Sequence, residues 1–145
     1  MGTSYETDVV AWANEQAQLI RAGRFELLDR EHIAEEIEDV GKSEQRELAS
    51  RMAVLLAHLL KWKYQAERRC ASWQRTIRAQ RMEIAYGLDG TPSLIPRLQE
   101  ARWLKVVWAK AVAQAVQETN LDCFPDECPW AIAAQVLDEG WLPDA

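Results

Sequence analysis

The most restrictive feature of the sequence is an apolar series near its middle, spaced for one face of a helix. Its members are Leu48, Met52, Leu55, Leu56, Leu59 and Trp62. Steps of three and four residues bring side chains to the same side of an α-helix, whereas a half-buried strand needs strict alternation. So continuous an apolar face has to be covered, because each methylene left in water forgoes about 0.8 kcal/mol. We therefore predict a long central core helix.

Upstream of this helix, the same spacing predicts a helix from Tyr5 to Ala22, with Thr3 or Ser4 as its N-cap. Gly23 follows the last apolar position, where a left-handed residue ends many helices. The apolar positions of this first helix include Tyr5, Val9, Trp12 and Ile20.

A second helix is predicted to begin after Asp29, which is a good N-cap residue. Its apolar positions are Ile33, Ile37 and Val40. Gly41 follows, but we favour a single helix that continues through Gly41 into the central core helix, because no capping box restarts a helix there.

Downstream, Ser72 is predicted to cap a helix that Gly87 and Gly90 close. Its core-facing positions are Trp73, Ile77, Ile84 and Leu88. A nearly unbroken helical run from 94 to 119 follows, with Asn120 as its stop.

Pro129 is predicted to start a short last helix, since proline suits the first turn. Its apolar positions are Trp130, Ala133, Ala134 and Leu137. The tail Trp141-Leu142-Pro143 should fold back, because an exposed Trp-Leu pair leaves apolar area in water.

No segment shows sustained alternation bounded by turn residues, so the predicted fold class is all-α. We expect a compact bundle of five or six helices, forming one domain over residues 1–145.

The apolar run Met52–Ala57 is far shorter than the roughly 20 residues that cross a bilayer, and the N-terminus lacks the pattern of a secretion signal. We therefore predict a cytoplasmic protein without a membrane span.

Three cysteines without a CxxC pair suggest reduced, buried thiols rather than disulfides or a zinc site.

Charge is distributed unevenly along the chain, whose net charge is −6. Residues 1–50 contain 12 acidic against 5 basic side chains, residues 51–90 contain 3 against 8, and residues 91–145 contain 8 against 4. Either the two signs face each other within the fold or the basic middle meets an acidic partner.

The first functional hypothesis is a binding module that uses this basic middle. Its candidate residues are Lys61, Lys63, Arg68, Arg69, Arg75, Arg78 and Arg81. Arginine binds carboxylate and phosphate bidentately, which favours an acidic protein or another anion as the partner. Nucleic acid is a weaker expectation, because a net negative charge opposes binding that depends on phosphate neutralisation.

The second hypothesis is a divalent-metal enzyme of phosphohydrolase type. Its candidate ligands are His32, Glu35, Glu36, Glu38, Asp39 and His58. Carboxylates three and four residues apart share a helix face, and hard divalent cations prefer oxygen ligands. A matching second acidic helix is lacking in the sequence, and a solvated acidic face explains the pattern better. A histidine within an apolar helix, such as His58, is usually structural. Beyond a divalent cation, no cofactor is expected, because the phosphate-loop, nucleophile-elbow and nucleotide-binding motifs are absent.

The third hypothesis is a structural or self-associating subunit, in which Trp103, Val106 and Val107 form an apolar interface between copies.

Several short segments resemble a known family. They are Glu35-Glu36-Ile37-Glu38-Asp39-Val40-Gly41, His58-Leu59-Leu60-Lys61-Trp62, Ser72-Trp73 with Ile77-Arg78, and Phe124-Pro125 with Cys128-Pro129. In order and spacing they resemble domain-of-unknown-function family 29, over almost the whole chain. The resemblance implies a compact all-helical bacterial protein, and it assigns no catalytic role to any residue.

Overall fold

The computed structural model describes residues 4–144 and, within them, consists of helices and connecting loops without a strand. The α-helices are α1 (Val9–Arg21), α2 (Arg30–Tyr64), α3 (Ala71–Gly90) and α4 (Ala101–Thr119). Shorter 3-10 segments span Phe25–Leu27, Ala66–Arg68 and Pro92–Gln99, and a π-helical turn spans Ile132–Val136. The predicted all-α fold class, with one long helix that packs against others, is confirmed. No helix in residues 4–144 has the length and apolar character needed to cross a membrane.

The chain divides into two compact units, which we call the N-terminal unit (up to Glu44) and the C-terminal unit (from Gln45). Helix α2 is 35 residues long and continues through Gly41, as predicted. Its residues 30–44 belong to the N-terminal unit and its residues 45–64 to the C-terminal unit. That residues 1–145 form one domain stays a prediction.

Helix α1 begins later than predicted. Asp8 is its N-cap, and Oδ1 of Asp8 accepts a hydrogen bond from the backbone N–H of Ala11 (3.1 Å). The predicted cap at Ser4 is wrong, because the carbonyl of Ser4 instead closes a separate turn with the N–H of Asp8 (3.1 Å). Thr3 lies outside the described residues.

Helix α1 ends as predicted. Gly23 has a φ of +74°, in the left-handed region that glycine reaches without steric cost. The N–H of Gly23 bonds to the carbonyl of Ile20 (3.1 Å), and the N–H of Arg24 bonds to that of Leu19 (2.9 Å). This pair of bonds is the Schellman ending of a helix.

Asp29 caps α2 as predicted, because Oδ1 of Asp29 accepts the backbone N–H of His32 (3.4 Å). The apolar positions of the N-terminal unit are covered only in part. Trp12 is 4% exposed, whereas Val9 and Ile20 on α1 are about half exposed, and Ile37 and Val40 on α2 are 67% exposed.

The C-terminal unit contains the core, and the central series on α2 forms its centre as predicted. Met52, Leu55, Leu59 and Leu60 have no measurable exposure. They pack with residues of α3 and α4, including Ile84 and Val107. Full burial of each such side chain contributes about 1.5–3 kcal/mol relative to leaving it exposed, so this layer holds the unit together.

Helix α3 begins at Ala71, with Cys70 at the N-cap position and no side-chain cap. The predicted cap at Ser72 is therefore wrong, because Ser72 already lies in the first turn, where its carbonyl accepts the hydroxyl of Thr76 (3.1 Å). Gly87 lies inside α3, and Gly90 ends it.

The single helix predicted for residues 94–119 is interrupted. Pro96 lies within the 3-10 segment, where it removes one backbone donor, and Glu100 is extended with ψ +117° before α4 begins. Asn120 ends α4 in the left-handed conformation, with φ +60°, as predicted.

A short last helical segment is present, and Trp130 and Leu137 pack against the core as predicted, but the segment begins at Ile132 rather than at Pro129 and is π-helical. The N–H of Val136 bonds to the carbonyl of Ala131 (3.0 Å), a π-type spacing that turns Val136 into the core. The predicted core positions Ala133 and Ala134 are exposed instead. The fold-back of the tail is confirmed, because the Trp141 ring lies 5.6 Å from that of Trp130.

Arg81 on α3 holds this tail in place. It is 5% exposed, and its guanidinium donates to three backbone carbonyls, those of Val136 (2.9 Å), Glu139 (3.3 Å) and Trp141 (2.7 Å). Each carbonyl would lose its donor without this side chain, and a hydrogen bond from a charged donor contributes about 1.5–3 kcal/mol.

We predict that Arg81→Ala lowers the free energy of unfolding by about 3 kcal/mol or more, because it leaves one buried and two partly buried carbonyls without donors. Urea denaturation followed by tryptophan fluorescence measures the change. Arg78→Ala is the matched control on the same helix, and since Arg78 is exposed the loss there should stay within about 0.5 kcal/mol. Equal losses in the two variants would contradict a clamping role for Arg81.

Candidate functional site

The seven predicted basic residues fall into three groups, and the first group, Lys61 and Arg81, is internal. Lys61 is 7% exposed, and its Nζ donates to Oε1 of Glu118 on α4 (2.8 Å) and lies 4.9 Å from the centre of the Trp73 ring. Arg81 is occupied by the tail. Neither residue is part of an open basic surface, because both side chains lie beside apolar positions that are buried in the core.

The ion pair of Lys61 also determines the ionisation of its partner. Burial opposes ionisation of Glu118, but hydrogen bonds from Lys61 and Gln114 and the positive charge of Lys61 outweigh it, so the pKa of Glu118 is lowered. Glu118 therefore stays ionised opposite Lys61, which makes this pair a structural link between α2 and α4.

The second group of basic residues is available to a partner. Arg68, Arg75 and Arg78 are exposed, and within residues 4–144 none of them has an ion pair or a hydrogen bond to a side chain. Arg75 and Arg78 lie three residues apart, about 60° around α3. Two guanidinium groups on one face can bind a carboxylate each, with bidentate geometry.

The same face of α3 continues into two apolar side chains. Met82 is 61% exposed and Tyr86 is 83% exposed. At about 100° per residue, these two side chains and the two arginines fall within an arc of about 80°. We call Arg75, Arg78, Met82 and Tyr86 the α3 face.

Arg69 and Lys63 lie against aromatic rings near the start of α3. Nε of Arg69 donates to the carbonyl of Trp62 (2.7 Å), and the guanidinium carbon lies 5.0 Å from the centre of the Trp62 ring. Its Nη2 is buried without a hydrogen-bond partner among the described residues. Nζ of Lys63 lies 5.7 Å from the centre of the Tyr64 ring. Both cations are therefore partly held within the unit.

In the N-terminal unit, the acidic segment forms a hydrogen-bonded cluster around His32. Nδ1 of His32 donates to Oδ2 of Asp29 (2.7 Å), and the same oxygen accepts Nε1–H of Trp12 (3.0 Å). Oε1 of Gln16 accepts the backbone N–H of Asp29 (2.9 Å), so Asp29 is held through both its side chain and its backbone. The hydrogen bond with His32 lowers the pKa of Asp29, and the same bond raises the pKa of His32.

Tyr5 completes this cluster. Its ring centre lies 4.1 Å from that of His32, and its hydroxyl donates to Oε1 of Glu36. That bond, together with burial and the nearby negative charges, raises the pKa of Tyr5 to about 12. An open depression of about 640 Å³ lies beside the cluster, between Tyr5, Glu6, Val9, His32 and Glu35.

Of the candidate metal ligands, His32, Glu35 and Glu36 line the same depression, but they do not form a metal-binding group. Glu35, Glu38 and Asp39 are exposed, and Glu36 is engaged by Tyr5. Among residues 4–144, no group of three or more His, Cys, Asp or Glu side chains is arranged to hold a metal ion.

His58 is half-buried on α2, where its Nδ1 donates to the carbonyl of Val54 (2.9 Å). Burial lowers the pKa of His58, and the positive charge of Lys61 adds to this effect. His58 thus has the backbone partner expected of a structural histidine.

The predicted apolar interface on α4 is divided between the core and the surface. Val107 is fully buried, Trp103 is partly buried, and Val106 is 50% exposed. The expectation of buried thiols is wrong for Cys70 and Cys123, which are exposed because they lie in connections outside the core. Burial raises the pKa of the half-buried Cys128.

Two features of these sites were not predicted from the sequence. The three- and four-residue steps that relate Arg75 and Arg78 to Met82 and Tyr86 are visible in the sequence, but nothing there shows that this apolar pair lies on the surface beside the arginines. The contacts of Tyr5 and Trp12 with His32 could not be predicted from the sequence. Trp12 lies on α1, Tyr5 lies in the turn before α1 and His32 lies on α2, so no local pattern relates them.

We predict that the two histidines titrate in opposite directions from the usual value of 6.5. The pKa of His32 should lie above it, because Asp29 stabilises the imidazolium, and that of His58 below it. A raised folded-state pKa means that protonated His32 stabilises the fold below about pH 6.5 and that this stability is lost as the pH rises through the folded-state value. NMR titration of the imidazole protons measures both values.

Asp29→Asn should return the pKa of His32 towards 6.5 and leave that of His58 unchanged, which makes His58 an internal control. A titration of His32 that does not respond to this substitution would contradict the hydrogen-bonded pair.

The comparisons with known proteins address the family rather than the site. Neither the curated proteins nor the solved structures include a significant match to this chain. The family model for the domain of unknown function DUF29 matches residues 4–142, which confirms the resemblance recognised in the sequence. Because this match covers nearly all of the chain, the protein belongs to the DUF29 family.

Proposed function

We propose that the protein is a binding module that captures an acidic protein segment on the α3 face. The observation that carries the proposal is the alignment of two unpaired arginines, Arg75 and Arg78, with the exposed side chains of Met82 and Tyr86 on one helix face. Arginine, methionine and tyrosine are among the residue types enriched at protein interfaces.

The composition of this face also indicates the chemistry of the partner. Two guanidinium groups favour two carboxylates, and an apolar side chain of the partner would cover Met82 and the ring of Tyr86. A partner segment with acidic residues at one end and an apolar or aromatic residue at the other, about three helical turns long, would contact both the arginines and the apolar pair. Single-stranded nucleic acid is a less favoured partner, because the face presents only one exposed aromatic ring for stacking.

Lys61 and Arg81 have internal contacts that Arg75 and Arg78 lack, and this difference supports the proposal. Both are bound within the C-terminal unit through Glu118 and three backbone carbonyls, so their charges serve the fold. Arg75 and Arg78 have no such internal role. Their charges therefore remain available for complementary charges on a partner, which would steer its approach and fix its register.

A fluorescence-anisotropy titration tests the proposal with two labelled probes, a peptide of glutamate residues that contains one tryptophan and a single-stranded oligonucleotide. Arg75→Glu/Arg78→Glu should weaken binding of the acidic peptide by about a hundredfold, since it replaces two attractive charge contacts with repulsive ones. Tyr86→Ala should weaken it by about tenfold, through loss of the apolar contact.

The matched control is Arg102→Glu/Lys110→Glu, which changes the net charge equally at two exposed positions on α4. It should leave peptide affinity within about threefold, since long-range charge alone is screened at physiological salt. Equal losses in both double variants would mean that only net charge matters, and stronger binding of the oligonucleotide than of the peptide would reject a protein partner.

A further inference from the structure

The first part of α2 has a face with the spacing of a coiled-coil seam, and this face is exposed except at Ile33, which is partly buried. Its members are Arg30, Ile33, Ile37, Val40 and Glu44, which follow one another in steps of three, four, three and four residues. This alternation is the heptad pattern with apolar residues at its inner positions. Ile37 and Val40 are 67% exposed, although residues in such a pattern normally face another helix. We call these five residues the α2 seam.

The α2 seam is complementary to itself when two copies run in opposite directions. Arg30 lies seven residues before Ile37, and Glu44 lies seven residues after it. In an antiparallel pair centred on Ile37, Arg30 of each copy faces Glu44 of the other, and Ile33 faces the Val40 region. Arg30 and Glu44 are exposed, and neither has an ion pair in the described part of the chain.

Small residues beside the seam permit a close approach. Ala34 and Gly41 are each four residues after a seam position, and both are exposed. Adding a Cβ to Gly41 would meet no atom within 4 Å. The backbone of a second helix can therefore approach α2 more closely here than it could beside longer side chains.

Helix α1 extends the same surface. Trp12 on α1 and His32 on α2 mark where the two helices touch, and the contacts of Tyr5 with Glu36 and of Trp12 with Asp29 show that the helices run antiparallel. The exposed positions Val9 and Ile20 lie about 60° and 80° around α1 from Trp12, and the seam lies about 90° around α2 from its own contact side, in the same sense along the chain. In an antiparallel hairpin, displacements in this same sense bring both faces to the same side.

We infer that the protein forms a homodimer in which the α2 seams of two copies pack antiparallel, with the two-fold axis at Ile37. The widened face is needed, because a stable interface buries roughly 800 Å² on each partner, more than one short helix face supplies. A second copy is the occupant that fits, since the charges at the two ends of the seam are opposite and equidistant from its centre. A two-fold interface requires this self-complementarity.

The N-terminal unit has 11 acidic and 4 basic side chains, so two units repel each other at a distance. At about 0.15 M salt the screening length is about 8 Å, which suppresses this repulsion while contacts within the interface persist. The dimer is therefore to be measured at this salt concentration. The inference is independent of the binding function of the α3 face, whose residues it does not use.

Sedimentation equilibrium of the full chain, over a roughly hundredfold range of protein concentration, tests the dimer. We expect Ile37→Glu to raise the dissociation constant by about a hundredfold or more, because two carboxylates would meet at the axis. Ile37 is exposed, so circular dichroism should show an unchanged helix content. Val106→Glu on α4 is the control, and it should leave the dissociation constant within about twofold.

Exchanging the charges of Arg30 and Glu44 tests the antiparallel alignment of the two seams. Arg30→Glu and Glu44→Arg should each weaken the dimer by about tenfold, because each creates like-charged pairs at both ends of the seam. The double substitution Arg30→Glu/Glu44→Arg should restore it to within about threefold. A chain that stays monomeric throughout, a dimer that survives Ile37→Glu, or a double variant as weak as the single ones would overturn the inference.

Discussion

The C-terminal unit depends on the burial of one apolar face of α2. Met52, Leu55, Leu59 and Leu60 are removed from water by α3 and α4, and this burial supplies most of the free energy that offsets the entropy lost on ordering the chain. Everything else in the unit is arranged around that layer. In the N-terminal unit, the same helix has exposed apolar side chains at Ile37 and Val40.

This burial determines what the charged residues of the C-terminal unit can do. Lys61 lies one residue after a buried leucine, and Arg81 lies on the core side of α3, so each has to be satisfied inside the protein. Glu118 and the carbonyls of the C-terminal tail fulfil that requirement. The arginines on the exposed side of α3 do not have to be paired inside the protein. The unit thus divides one basic segment into a structural part and a part available for recognition.

The N-terminal unit is built on different forces. Only a few of its side chains are buried, and its two helices are joined by a polar and aromatic cluster of Tyr5, Trp12, Asp29 and His32. Such contacts orient the helices but remove little apolar area from water. Apolar area therefore remains exposed on α1 and α2.

Local patterns were sufficient to predict the all-α class, the central core helix, the continuity of α2 and the glycine and asparagine helix ends, because each depends on local periodicity or on the conformation of one residue. They were not sufficient to predict the break before α4 or the π-helical turn at Val136, since these follow from how the chain meets its neighbours. Among the site residues, local patterns identified the basic and acidic segments, and the family was recognisable from the order of short motifs.

The packing of the helices places Lys61 and Arg81 inside, whereas Arg75 and Arg78 face outward with Tyr86. A helix face becomes core or surface according to which other elements cover it. That information lies in contacts between residues distant in the chain, so local patterns do not contain it.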